Sequence, residues 1–129
     1  MAVYVKAQAK AVAMTPRKVG EVASLVRGRS VADALVILEH TPRRAALPLI
    51  KVINSAKANA GHNHNVKTDN LQIAELIVTP GPRAKRYRPV ARGSAHPYQK
   101  RTTHVTVVVS GEEKPKKAAA KAAVKKESK

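Results

Sequence analysis

The chain has 129 residues, enough for one domain with a modest core and short for two. Its 25 Lys and Arg against 8 Asp and Glu give a formal charge of +17, which repels itself unless a polyanion, most commonly nucleic acid, neutralises it. The lack of Cys excludes disulfides and thiolate metal sites, and with three Tyr but no Phe or Trp the core must be aliphatic, small and more stable when bound.

The opening residues alternate. Val3, Val5, Ala7, Ala9 and Ala11 fall on one side, and Tyr4, Lys6, Gln8 and Lys10 on the other. This period predicts a half-buried strand that presents Lys6 and Lys10 outward. The segment has no apolar block of signal-peptide length, and nowhere do 18 apolar residues run together, so a soluble cytoplasmic protein with no membrane partner is expected.

In TPRKVGEVASLVRG, Thr15 is placed to cap a helix and Pro16 suits its first position. Val19, Val22, Ala23 and Val26 form the inward stripe, and Gly28 is the expected stop. Arg17 and Lys18 lie in the first turn, where the helix dipole disfavours cations, which hints at an external anion. A second helix is predicted in SVADALVILEHT, with Ser30 as cap, Asp33 three residues on, and Val31, Ala34, Leu35 and Leu38 inward. Thr41–Pro42 repeats the Thr–Pro start and is expected to open a third helix. Its stripe contains Leu49, Ile50, Ile53, Ala56 and Ala60, with Lys57 at the edge and a kink or frayed turn at Pro48.

GHNHNVKTDN reads as a polar loop in which His62 and His64 lack a third metal ligand. After it, LQIAELIVT and THVTVVVS are strand-like and frame the opening segment. Together they predict one very long hairpin over about residues 71–110. If residues 71–78 pair with 102–109, the intervening residues project roughly 35 Å beyond the sheet. From Leu76 to Gly111 there is no acidic residue, while Arg83, Lys85, Arg86, Arg88, Arg92, Lys100 and Arg101 supply charge, with Tyr87 among them. Arg suits bidentate phosphate contacts, and Tyr87 suits stacking on an unpaired base. A two-stranded ribbon is marginal in water, so its order is expected to come from an enclosing polyanion. Residues 1–110 are thus expected to form one domain, and the Lys- and Ala-rich residues 111–129 a disordered tail.

Catalysis is not expected. Outside the tail the carboxylates are Glu21, Asp33, Glu39, Asp69 and Glu75; no spacing suggests a dyad, and no phosphate-cradling Gly motif or cofactor site occurs. The basic residues spread over strand, helix starts, ribbon and tail, which fits folded RNA better than a compact DNA reader. The rival readings are a DNA-architectural ribbon and an RNA-modifying enzyme. A membrane-active peptide is disfavoured, because the ribbon has no apolar face.

TPRKV, VASLVRG, INSAKANAGHN, PRAKRYRPVARGSA and KRTTHVTVVVS, in this order, closely resemble the bacterial large-subunit ribosomal proteins of family twenty-two. The resemblance implies an α+β fold, a three-stranded antiparallel sheet packed on three helices with a long protruding β-hairpin. It also implies partners: large-subunit ribosomal RNA, neighbouring ribosomal proteins and, transiently, the nascent polypeptide whose exit tunnel the hairpin lines. Lys85 and Arg86 match the family's basic pair, Pro89 its proline, and Arg92–Gly93 its turn. Val90 and Ser94 stand where the family often has Arg. Thr102, Thr103 and His104 match its polar step before the last strand. The expected RNA contacts are therefore Lys6, Lys10, Arg17, Lys18, Lys57, Arg83, Lys85, Arg86, Tyr87, Arg88, Arg92, Lys100, Arg101 and His104. The expected tunnel-lining tip comprises Lys85, Arg86, Arg88, Pro89, Val90, Ala91, Arg92 and Gly93.

Overall fold

The computed structural model describes residues 2–68 and 70–112. In chain order they form β1 (Ala2–Val12), α1 (Pro16–Val26), α2 (Val31–His40), α3 (Ala46–Asn63), β2 (Gln72–Pro89) and β3 (Ala95–Glu112). The sheet is antiparallel in the order β1-β3-β2. The expected α+β architecture is present, but the two late strands do not flank the first one. The last strand is central, because the hairpin brings β2 to one of its edges and leaves the other for β1.

β3 carries the sheet. Thr103, Val105, Val107 and Val109 are buried in strict alternation with half-buried His104, Thr106, Val108 and Ser110. The buried valines join Val5, Leu38, Leu49 and Ile53 in one aliphatic core between sheet and helices. Both edge strands are irregular where β3 is not. Ala9 pairs with Val105 and Val12 with Thr103, so β1 holds one extra residue there, and β2 holds extra residues between Ile73 and Glu75 and between Pro80 and Arg83. Such bulges kink an edge strand and raise its twist. The bulge in β1 corrects the simple alternation: Ala11 is exposed at φ 55, while its neighbour Val12 is half-buried.

The inward residues of α1 are Val19, Val22, Ala23 and Val26, all buried as its spacing predicts. Each buried valine contributes roughly 1.5 kcal/mol or more. That outweighs the unfavourable dipole contact of Arg17 and Lys18, at most about 1 kcal/mol each. Pro16 opens the helix, but the Thr15 side chain makes no capping hydrogen bond, contrary to expectation. Gly28, at φ 71, turns the chain away as expected. Ser30 does cap α2: its Oγ accepts from the Asp33 amide at 3.1 Å and donates to Asp33 Oδ2 at 2.7 Å. Residues on either side of that cap also cover the edge of β2. Val31 N–H donates to Leu71 O, and Ile73 N–H to Arg29 O, both at 2.9 Å.

Thr41 does not start α3. Its hydroxyl donates to Ile37 O at 2.6 Å and finishes α2, and α3 begins at Ala46. Pro48 then falls in the first turn, where a helical N–H has no intrahelical acceptor, so its missing N–H costs nothing. The expected opening at Thr41–Pro42 is replaced by a later start. The loop after α3 is less polar than its sequence suggests. Val66 is fully buried, with its N–H on Ala60 O at 3.0 Å, and Lys67 N–H reaches Glu112 O at 3.1 Å. Gly111 and Glu112 thereby belong to the sheet. The rest of the expected tail, and Asp69, lie outside the described residues.

Candidate nucleic-acid interface

Beyond Val12, β1 no longer pairs with β3, and β2 and β3 continue alone to a turn at Ala91–Gly93. From Thr79 to Thr102 no residue is buried. The ladder is regular from Arg83↔Arg101 to Pro89↔Ala95, so the long hairpin is present, with the pairing offset by the bulges. At the root, Thr102 Oγ1 donates to Pro82 O at 2.7 Å. A Cβ on Gly81 would stand 2.5 Å from that same Oγ1 and 3.2 Å from the Thr102 carbonyl carbon, so only glycine fits the approach. At the tip, Arg92 (φ 60) and Gly93 (φ 72) turn the chain, as the family pattern implies, and Val90 N–H closes on Ser94 O at 2.8 Å.

Strand alternation sorts the ribbon's side chains into two faces. Arg83, Lys85 and Tyr87 share one face with Arg101. Arg86 and Arg88 share the other with Lys100, Tyr98 and His96. Each face therefore carries three cations and one tyrosine. Arg83 stands directly opposite Arg101, a like-charge pair that destabilises a free ribbon. Tyr98, which sequence reasoning missed, has the Arg88 guanidinium 4.8 Å from its ring centroid. Its signal was legible only once the cross-strand register was known, because it is ten residues from Arg88 in the chain.

The remaining predicted contacts are scattered. Lys6 and Lys10 are exposed on β1, away from the core. Arg17 Nε lies 3.9 Å from Glu21 Oε1, and Arg43 Nη1 3.9 Å from Glu21 Oε2; these are the two ion pairs among the described residues. Lys57 is half-buried beside a shallow groove that includes Asn54 and Gly61. His104 is partly committed within the fold, because its Nδ1 accepts from the Ala11 amide at 2.9 Å. Lys18, Lys100 and Arg101 come together at the ribbon root, joined there by Arg43 and Arg44, which sequence reasoning did not single out. Arg27, by contrast, is used internally, with Nε on Leu76 O at 3.0 Å.

His62 and His64 are both exposed, and among the described residues no three His, Cys, Asp or Glu group together as a metal site would need. No described helix is long and apolar enough to cross a membrane.

A small aliphatic body thus extends a bare ribbon that is cationic on both faces. The family model described as ribosomal protein L22p/L17e matches residues 7–110. The chain is 51% identical over 107 residues to the large ribosomal subunit protein uL22 of Latilactobacillus sakei subsp. sakei (strain 23K), covering 83% of this chain and 92% of that protein. It is also 51% identical over 104 residues to the protein of the same name from Desulfitobacterium hafniense (strain DSM 10664 / DCB-2), covering 81% and 91%. The chain belongs to the ribosomal protein L22p/L17e family, which is structural and not enzymatic.

Proposed function

We propose that the protein is a structural constituent of the large ribosomal subunit in the cytoplasm. In this reading it binds large-subunit ribosomal RNA, assists its assembly, and lines the nascent-peptide exit tunnel with its ribbon tip. The observation that carries the reading is the division of cations over both ribbon faces, three on each, with no buried residue between them. A ribbon laid on a surface needs charge on one side; one enclosed by phosphates needs it on both. The names of the relatives from Latilactobacillus sakei and Desulfitobacterium hafniense supply the large subunit as the assembly. Phosphate neutralises the ribbon, and confinement adds the order that its own contacts supply only weakly. With six to ten phosphate contacts, affinity falls about a thousandfold or more between 50 and 200 mM salt.

The test is co-sedimentation with large subunits, followed by crosslinking from ribbon positions such as Tyr87 and Tyr98. Crosslinks to large-subunit RNA and protease protection of the ribbon in the bound state are expected. Crosslinks confined to the body, or equal cleavage of free and bound ribbon, would remove the basis for the reading.

A further inference from the structure

We propose that the cleft at the ribbon root is a clamp for the RNA backbone, in which Lys18, Arg43, Arg44, Lys100 and Arg101 close on a run of phosphates. The proposal rests on the RNA-binding reading above and deepens it. It moves a principal anchor from the ribbon to the junction of ribbon and body.

The cleft has a volume of about 500 Å³ and, among the described residues, is lined by those five cations and by no carboxylate. A water occupies about 30 Å³ of liquid, so there is room for a short stretch of sugar-phosphate chain. Three segments far apart in sequence converge here: the start of α1, the connection from α2 to α3, and β3 where it leaves the core. Their backbones are fixed from beneath. Thr103 is fully buried and donates from Oγ1 to Met14 O at 2.6 Å, which ties β3 to the turn before α1. Ala45, next to Arg44, is also buried. The cations thus extend from stationary points of attachment, and little order must be gained at the backbone when an anion arrives.

Competition within the protein is weak. Among the described residues, Glu21 is the one carboxylate paired with a cleft cation. It stands 3.9 Å from Arg43, in solvent, and shares itself with Arg17. The first turn of α1 adds donors of its own, because the amides of Arg17 and Lys18 precede the first intrahelical bond, from Val19 N–H to Thr15 O, and Thr15 does not cap them. Five positive charges exceed what one phosphate group neutralises, whereas a polymer presents several in succession. Lys100 and Arg101 also belong to the basic ribbon, so a strand held here continues onto a surface that suits it.

The experiment measures binding of the full chain to a large-subunit ribosomal RNA transcript between 50 and 200 mM KCl. Arg43→Ala/Arg44→Ala is compared with Lys51→Ala/Lys67→Ala, which removes equal charge from exposed positions outside the cleft. The cleft variant is expected to lose at least about tenfold in affinity and about 1.4–1.8 from the slope of log K against log salt, and the control less than about threefold. Arg43→Gln/Arg44→Gln replaces the alanine pair if that pair lowers the unfolding midpoint. Equal losses in the two variants would overturn the clamp in favour of a diffuse field and leave the RNA reading standing. A wild-type chain with no affinity for the transcript would remove both. Displacement of the transcript by poly-glutamate at equal charge concentration would assign the cleft to an acidic protein partner and overturn the proposal.

Discussion

The imidazole Nδ1 of His104 accepts a hydrogen bond from the backbone amide of Ala11 at 2.9 Å, across the bulge where β1 parts from β3. It supplies the acceptor that the ladder withdraws from the extra residue, and it holds Ala11 in the left-handed region at φ 55. His104→Ala is therefore expected to cost about 1 kcal/mol. Ala11→Gly, which removes the steric penalty at positive φ, is expected to offset part of it. Urea midpoints of the two single variants and the double variant measure both effects; an unchanged midpoint in His104→Ala would deny the bond any role.

Thr103 is the buried polar side chain of the described core, and its hydroxyl meets the Met14 carbonyl. Thr103→Val keeps the shape and leaves that carbonyl without its donor. A loss of about 1–3 kcal/mol is expected in thermal or urea unfolding. A neutral result would mean that solvent reaches the Met14 carbonyl.

Gly111 closes the far end of the sheet against Leu71 and Val66. A Cβ there would stand 2.6 Å from Leu71 Cδ2 and 2.6 Å from Val66 Cγ1, both on buried side chains. Gly111→Ala is expected to destabilise by about 1–3 kcal/mol through overpacking. The signature to seek is coupling. In the Val66→Ala background the same change should cost less, and strict additivity of the two would contradict the geometry.

At the ribbon tip, Gly93→Ala and Arg92→Gly act in opposite directions. The first places a side chain at φ 72, and the second relieves one at φ 60, each by about 1 kcal/mol. Neither change touches the core, so the body's unfolding midpoint should hold while amide exchange at Val90 and Ser94 quickens in the first variant and slows in the second. A shift of the global midpoint would show that the ribbon and body unfold as one unit.

Replacing Lys85, Arg86 and Arg88 together by Gln is expected to leave the body's stability within about 0.5 kcal/mol, since all three are exposed. The salt slope of RNA binding should fall by about 2–3. A slope equal to that of the wild type would mean that the ribbon faces solvent in the complex.

Much of the molecule was legible in the linear sequence because its elements are locally consistent. The stripe Val19, Val22, Ala23, Val26 reports one periodicity and is buried as its spacing predicts, and the β-branched run THVTVVVS lies within β3 as its composition suggests. Misreadings arose where one residue type serves two ends. Thr41–Pro42 resembles a helix start, yet Thr41 spends its hydroxyl on the preceding helix, and Pro48 is harmless within a first turn. The β1 bulge has no signature in QAKAV, since Ala11 differs from its neighbours only in backbone angle. Val66 was hidden among polar residues, and its burial depends on Gly111, 45 positions later. The charge of the interface was plain from composition. Its partition into two faces, the partnership of Arg88 with Tyr98, and the meeting of Arg43 and Arg44 with Lys100 and Arg101 all required register and topology.

The step at which Arg83 stands opposite Arg101 adjoins a bulge and lies just beyond the last rung that β1 supplies. Three sources of weakness thus coincide at one level of the ribbon, while the cluster beneath it is closely packed. An anion seated at that level would cancel the repulsion and brace the ribbon where its own pairing is poorest.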